Sequence, residues 1–243
     1  MRQAMKDVKI HPQAELQTLA RLIQASAASW RGVAYYALTP TPGQDRIDPQ
    51  ALPRGGLCFE GMAGKLVYLG RPGLDLPNRI AEIRAVVPDI AADPHLALSL
   101  LREETGLAIP PAIPLPPPGG KEGHSLSVLL ADDDPMTRAL MDGFLARRVR
   151  TLTVENPRKA SANFAVLNPD VVFLDLHYRD EIHDGFDVLG NILSINRDAY
   201  IVIMSGDRDA ATIYTSLKKG ARGFIAKPLR AEDFYRHLTA EAA

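Results

Sequence analysis

Five side chains in the second half of the chain carry polar chemistry at the ends of short apolar runs. Asp132 and Asp133 follow one in LLADDDP, and Asp175 closes another in VVFLDLH. Ser205 closes IVIMSG, and Lys227 closes FIAKP. Carboxylates brought together raise one another's pKa unless a cation joins them. A hard divalent ion answers that need, and Mg²⁺ suits few carboxylates plus a phosphate. Lys227 adds a compact positive charge and Ser205 a hydroxyl donor. Together such groups hold the oxygens of a transferring phosphoryl group. Asp175 stands alone at its strand end and is the candidate nucleophile; the product would be an aspartyl phosphate. Asp134 reads differently, as the cap of a helix that starts at Pro135.

Those residues are useful together only if their strands lie side by side. The spacing predicts strands at Leu126–Ala131, Val149–Val154, Val171–Leu176, Tyr200–Met204 and Phe224–Ala226. Helices are predicted at 135–145, with Met136, Leu140, Met141, Phe144 and Leu145 as its apolar face, and at Pro157–Leu167, Phe186–Ile195, Ala210–Lys219 and Ala231–Ala240. Continuous apolar strands alternating with helices specify a parallel sheet covered on both faces. In such sheets, sites form at the carboxyl ends of the strands, where all five residues fall.

Residues 126–242 resemble the receiver domain of two-component response regulators. The acidic pair matches Asp132 and Asp133, the phosphoacceptor Asp175, the hydroxyl residue Ser205 and the Lys-Pro pair Lys227-Pro228. Phe224, three before the lysine, matches the aromatic switch residue, although it reads equally well as plain core. The resemblance implies a flavodoxin-like, doubly wound five-stranded parallel sheet. It implies Mg²⁺ on Asp132, Asp133, Asp175 and the backbone carbonyl of His177, with phosphate supplied by a histidine kinase or a histidine phosphotransfer protein. There are departures. Tyr178-Arg179 stands where the family carries Met-Pro, and Gly185 comes ten residues after Asp175 rather than eight. The charged loop 179–184 is therefore longer, and its His183 reads as loop surface.

From Ala108 to Gly123 the chain reads AIPPAIPLPPPGGKEG. Proline fixes φ and lacks a donor, so this is a semi-rigid spacer with a loose Gly119-Gly120 joint. It separates a domain at 1–107 from a receiver domain at 124–243. The first half reads as a small α+β domain. Pro12–Trp30 carries a helical stripe (Leu16, Leu19, Ala20, Ile23, Ala27, Trp30), Val33–Leu38 a strand, and Leu57–Leu69 a hairpin. Helices are expected at Asn78–Val87 and at Pro94–Glu104, the latter capped by Asp93 and stopped by Gly106.

Composition sets the outer bounds. The 243 residues carry 28 Lys+Arg against 29 Asp+Glu, with no basic block. Neutralisation of nucleic-acid phosphates normally needs a basic excess, so DNA binding is disfavoured. A helix-turn-helix reading of the last two N-terminal helices meets the same objection at Glu103 and Glu104. One cysteine, Cys58, excludes an internal disulfide and fits a reducing compartment. No apolar run spans a membrane, and the start lacks a signal peptide, so a cytoplasmic bacterial phosphoprotein is expected. The expected function is a response regulator that takes phosphate on Asp175 and signals through its N-terminal domain or through a homodimer. It is not an enzyme that turns over a metabolite. The rivals are a phosphorylation-independent adaptor and an aspartate-nucleophile phosphatase. The latter would place its nucleophile on the first strand, not the third.

Overall fold

A computed structural model describes residues 8–77, 80–106, 126–145, 149–178 and 185–238. Contacts divide the chain into two units, Met1–Pro114 with Asp209–Thr215, and Leu115–Arg208 with Ser216–Ala243. The proline-rich stretch 108–123 and the loop 179–184 lie outside the described residues.

The first unit holds β1 (Ile10–His11), α1 (Glu15–Ala25), β2 (Ala34–Thr39), β3 (Leu57–Glu60), β4 (Leu66–Gly70), β5 (Glu82–Val87) and α2 (Pro94–Thr105). Its sheet runs β1-β3-β4-β2-β5 and is mixed: β1 lies parallel to β3, and the other pairs are antiparallel. The hairpin of β3 and β4 forms as expected, and Asp93 caps α2 by accepting from the Leu96 N–H at 2.9 Å. Two expectations fail. The helix expected at Asn78–Val87 is instead the edge strand β5 beyond residues 78 and 79, which are not described. Ile83, Val86 and Val87 are β-branched, and the free edge of β2 offers them a ladder. The helix expected to reach Trp30 ends at Ala25, because Ser26 leaves helical geometry (φ −145°, ψ 51°). A turn of 3₁₀ helix, Ala27–Trp30, then brings Trp30 into the core.

The second unit's strands and helices alternate: β6 (Ser127–Ala131), α3 (Pro135–Leu145), β7 (Arg150–Val154), α4 (Pro157–Leu167), β8 (Val171–Asp175), α5 (Gly185–Ile195), β9 (Ile201–Ser205), α6 (Ala210–Lys218), β10 (Gly223–Ala226) and α7 (Ala231–Tyr235). All five strands are parallel, in the order β10-β9-β8-β6-β7. This is the doubly wound parallel sheet that the alternation predicts. β6 and β8 lie beside each other at its centre, so their carboxyl ends adjoin. Leu130, Phe173, Met204 and Ile225 pack on one face with Met141, Leu145 and Phe234. The α3 stripe is narrower than its sequence pattern: Met141 and Leu145 are buried, but Met136 is 77% and Leu140 45% exposed. Among the described residues, no helix is long and apolar enough to cross a membrane.

His237 follows α7 and packs edge-on against Phe173, its Nδ1 lying 3.1 Å from the Tyr200 hydroxyl. Gly223 makes room for the imidazole, since a Cβ there would stand 2.5 Å from its Cε1. Burial, and secondarily Arg236, pushes the imidazole pKa down to about 4 from 6.5. The folded state therefore resists a proton that the unfolded chain accepts. The stability from neutral His237 is complete above pH 6.5 and is lost as pH falls towards 4. In urea melts at pH 7 and pH 4.5, wild type should lose about 2–3 kcal/mol relative to His237→Gln. Parallel losses in the two proteins would contradict this.

Candidate functional site

The acidic pair is delivered by the end of β6. The Asp132 N–H donates to the Val154 carbonyl, continuing the pairing with β7 one residue past the strand. The Asp132 side chain is wholly buried, and its two oxygens are engaged. Oδ1 accepts from the Asp134 N–H at 2.9 Å, and Oδ2 accepts from Lys227 Nζ at 2.9 Å. Asp134 accepts from the N–H and the hydroxyl of Thr137, so it caps α3 as expected. Asp133 is half-buried between them.

Asp175 ends β8 and is buried. Lys227, just past β10, places Nζ 3.1 Å from its Oδ1, so one ammonium bridges Asp132 and Asp175. The Lys227 N–H donates to the Ser205 carbonyl at 2.8 Å, and the Arg208 guanidinium donates to the Lys227 carbonyl. The lysine backbone is thus held on both sides. Oxygens of Asp132, Asp133 and Asp175 lie within 4.8 Å of one another. Against these three carboxylates the bridge sets a single ammonium. Burial, then the charge of Asp132, pushes Asp175 up to about 6; Lys227 and the His177 N–H pull the other way. For Lys227, burial alone would lower the pKa, but Asp132 and Asp175 outweigh it and leave it raised. An acidic cluster of this spacing, short of positive charge, fits a hard divalent cation held by carboxylate oxygens.

Ser205 is buried at the end of β9, in register with Ala226, and its hydroxyl accepts from the Asp207 N–H at 3.0 Å. Phe224 is buried and pairs with Ile203 further back along the strands. His177 is exposed and turns its N–H towards Asp175. Two neighbours of the site were not assigned a role from the sequence. Arg138 donates to the Asp132 carbonyl at 2.9 Å, and no sequence signal marks it. Tyr178 donates its hydroxyl to the Ala131 carbonyl at 3.2 Å. A polar atom at the Met position of the resembled pattern was the signal available there.

Gly185 packs against the backbone of Asp175 and Leu176. It starts α5, and its N–H donates to the Leu176 carbonyl at 2.9 Å. A Cβ on Gly185 would stand 2.4 Å from the Asp175 carbonyl oxygen and 2.6 Å from Leu176 Cα, both backbone atoms that cannot swing aside. Gly185→Ala should therefore cost about 1–3 kcal/mol in urea unfolding, the usual cost of overpacking. A cost under half of that would show that the Asp175–Leu176 backbone yields.

Residues 128–239 match the model of the response regulator receiver domain. Over 106 residues the chain is 29% identical to the nitrogen assimilation regulatory protein NtrX of Azorhizobium caulinodans, covering 43% of this chain and 23% of NtrX. Over 105 residues it is 28% identical to the chemotaxis protein CheY of Thermotoga maritima, covering 42% of this chain and 86% of CheY. The crystal structure of Vibrio cholerae chemotaxis protein CheY4 aligns at 20% identity with a TM-score of 0.44, over 47% of this chain and 97% of that one. The chain thus spans under a quarter of NtrX and most of CheY, and the family model matches within its second half. That half, residues 128–239, is a response regulator receiver domain.

Proposed function

We propose that this chain is a phosphorylatable response regulator in a two-component phosphorelay, with Asp175 as the phosphoacceptor. The observation that carries this is the Lys227 ammonium seated between Asp132 and Asp175, 2.9 Å and 3.1 Å away, beside a third carboxylate. An oxygen of Asp175 attacks phosphorus, the phosphorus–nitrogen bond of a phosphohistidine breaks, and its electron pair stays on the imidazole. The phosphate comes from a histidine kinase or a phosphotransfer protein. Asp132, Asp133, Asp175 and the His177 carbonyl would hold Mg²⁺, which offsets the charge of the carboxylates and phosphoryl oxygens when bound. Lys227 and Ser205 donate to the new phosphoryl oxygens, and this chemistry turns over no metabolite.

A phosphoryl group adds about −1.5 to −2 charges and three acceptor oxygens. Drawing the Ser205 hydroxyl towards it opens space beside β9 that the Phe224 ring can enter. That repacking carries the signal to the N-terminal unit or to a second copy of the chain. A two-state packing change of this kind is enough to bias a partner. The near-neutral charge and lack of a basic block argue against DNA as that partner. A cytoplasmic setting follows from the proposed kinase partner and the single buried cysteine, whose thiol burial pushes up to about 12.

Acetyl phosphate with Mg²⁺ should add one phosphoryl group to the purified chain, read by intact mass. Asp175→Asn should abolish it. Equal labelling of the mutant would refute the assignment, and an unlabelled wild type would favour a phosphorylation-independent adaptor. Removing one of three crowded carboxylates also relieves repulsion. Without divalent ion at pH 7, Asp175→Asn should therefore melt several degrees higher than wild type, about 4 °C or more. A lower melting temperature would show that Lys227 already balances the cluster.

A further inference from the structure

Tyr178 stands three residues after Asp175, and the phosphoacceptor chemistry leaves it without a task. Its ring is buried, and its hydroxyl reaches the carbonyl oxygen of Ala131, 47 residues away in sequence, at 3.2 Å. Ala131 is the last residue of β6, and Asp132 is the next residue in the chain. One side-chain hydrogen bond therefore joins the segment that leaves Asp175 to the segment that delivers Asp132 and Asp133. Burial, followed by the charges of Asp175, Asp132 and Asp133, pushes phenol ionisation well above its ordinary range. The hydroxyl is thus a neutral donor beside the acidic cluster, adding a tie without adding charge.

Pairing of Ala131 with Leu174 sets the register of β6 against β8, and the other side-chain ties around the cluster do not brace the segments beyond those strand ends. Gly185 pins the segment after Asp175 to its own helix, through the Leu176 carbonyl. Lys227 links Asp132 to Asp175 through a flexible ammonium that follows the carboxylates wherever they stand. Arg138 holds the Asp132 carbonyl from the α3 side. Tyr178 ties the backbones beside the two strand ends through a rigid ring. A carboxylate set discriminates between cations by its spacing. Mg²⁺ demands near-ideal octahedral geometry, whereas Ca²⁺ accepts longer and looser arrangements.

We propose that Tyr178 is a positioning residue: its hydroxyl, fixed to the Ala131 carbonyl, sets the spacing between Asp175 and the Asp132–Asp133 pair and so tunes the site for a small divalent ion. The inference rests on the reading of those three aspartates as a divalent-cation site. A residue that only filled space would affect all ions alike, or only the melting temperature. A residue that sets spacing affects the ion with the stricter geometry.

The full-length chain, as wild type, Tyr178→Phe and Tyr178→Met, is titrated with Mg²⁺ and with Ca²⁺ by calorimetry, and each protein is melted by circular dichroism. Tyr178→Phe deletes a single oxygen and keeps the ring. Its Mg²⁺ affinity should fall about five- to tenfold, the size of one lost hydrogen bond. Its Ca²⁺ affinity should change less than about twofold, given the looser geometry of that ion. Tyr178→Met, which restores an apolar chain, should show the same loss of discrimination. If Tyr178→Phe keeps wild-type Mg²⁺ affinity, or weakens both ions equally, the positioning role is overturned while the cation site stands. If wild type binds no Mg²⁺, or Asp133→Ala binds it as tightly as wild type, the cation-site reading fails and this inference falls with it.

Discussion

Three carboxylates with oxygens inside 4.8 Å repel one another, and a half-buried ammonium between two of them only partly offsets the repulsion. The surrounding structure is arranged to hold that unfavourable group in place. Asp132 is wholly buried and spends one oxygen on the Asp134 N–H and the other on Lys227. Asp175 is lifted to about 6 by burial and by Asp132, despite the donors that face it. Such a strained cluster is retained only where the surrounding fold over-determines it. Here that support comes from strand pairing, the Arg138 and Tyr178 hydrogen bonds, and the close approach of Gly185.

A parallel sheet is well suited to this. Its strands all end at the same edge, so the residues at or just past each strand end meet without any long loop. The pairing of Ala131 with Leu174 and of Asp175 with Met204 fixes which residues meet. A slip of one residue would turn Asp175 to the other face of the sheet and dissolve the cluster.

The receiver half was largely legible because its signals are local and agree with one another. Continuous apolar strands, the Asp134-Pro135 helix start and the polar residue after each strand all indicated the same architecture. The N-terminal half was less so. Ile83, Val86 and Val87 have no stripe to bury, and only the free edge of β2 decides that they form a strand. The length of α1 turned on the dihedral angles of Ser26, although the buried stripe Leu16, Leu19, Ala20 and Ile23 was read correctly. Met136 and Leu140 fit a helical stripe yet face outward, because the periodicity of α3 marks a face wider than the one the sheet covers. Tyr178 and Arg138 were not assigned because both act on backbone carbonyls, at Ala131 and Asp132. A carbonyl leaves no trace in the residue types.

The protonation of Asp175 shows why the cluster calls for a further cation. Burial and the charge of Asp132 push the Asp175 carboxyl up to about 6, which favours its protonated form as pH falls. In the proposed phosphotransfer Asp175 would have to be ionised, because a protonated carboxyl is a far weaker nucleophile. Lys227 alone does not cure this, because its ammonium is divided between Asp132 and Asp175 at almost equal distances. A divalent cation held by Asp132, Asp133 and Asp175 would favour the ionised form of Asp175 and would share with Lys227 the neutralisation of Asp132. In the proposed phosphorelay the ammonium would then be available to the oxygens of an incoming phosphoryl group, so the residue that steadies the resting cluster would become the donor that receives the phosphate.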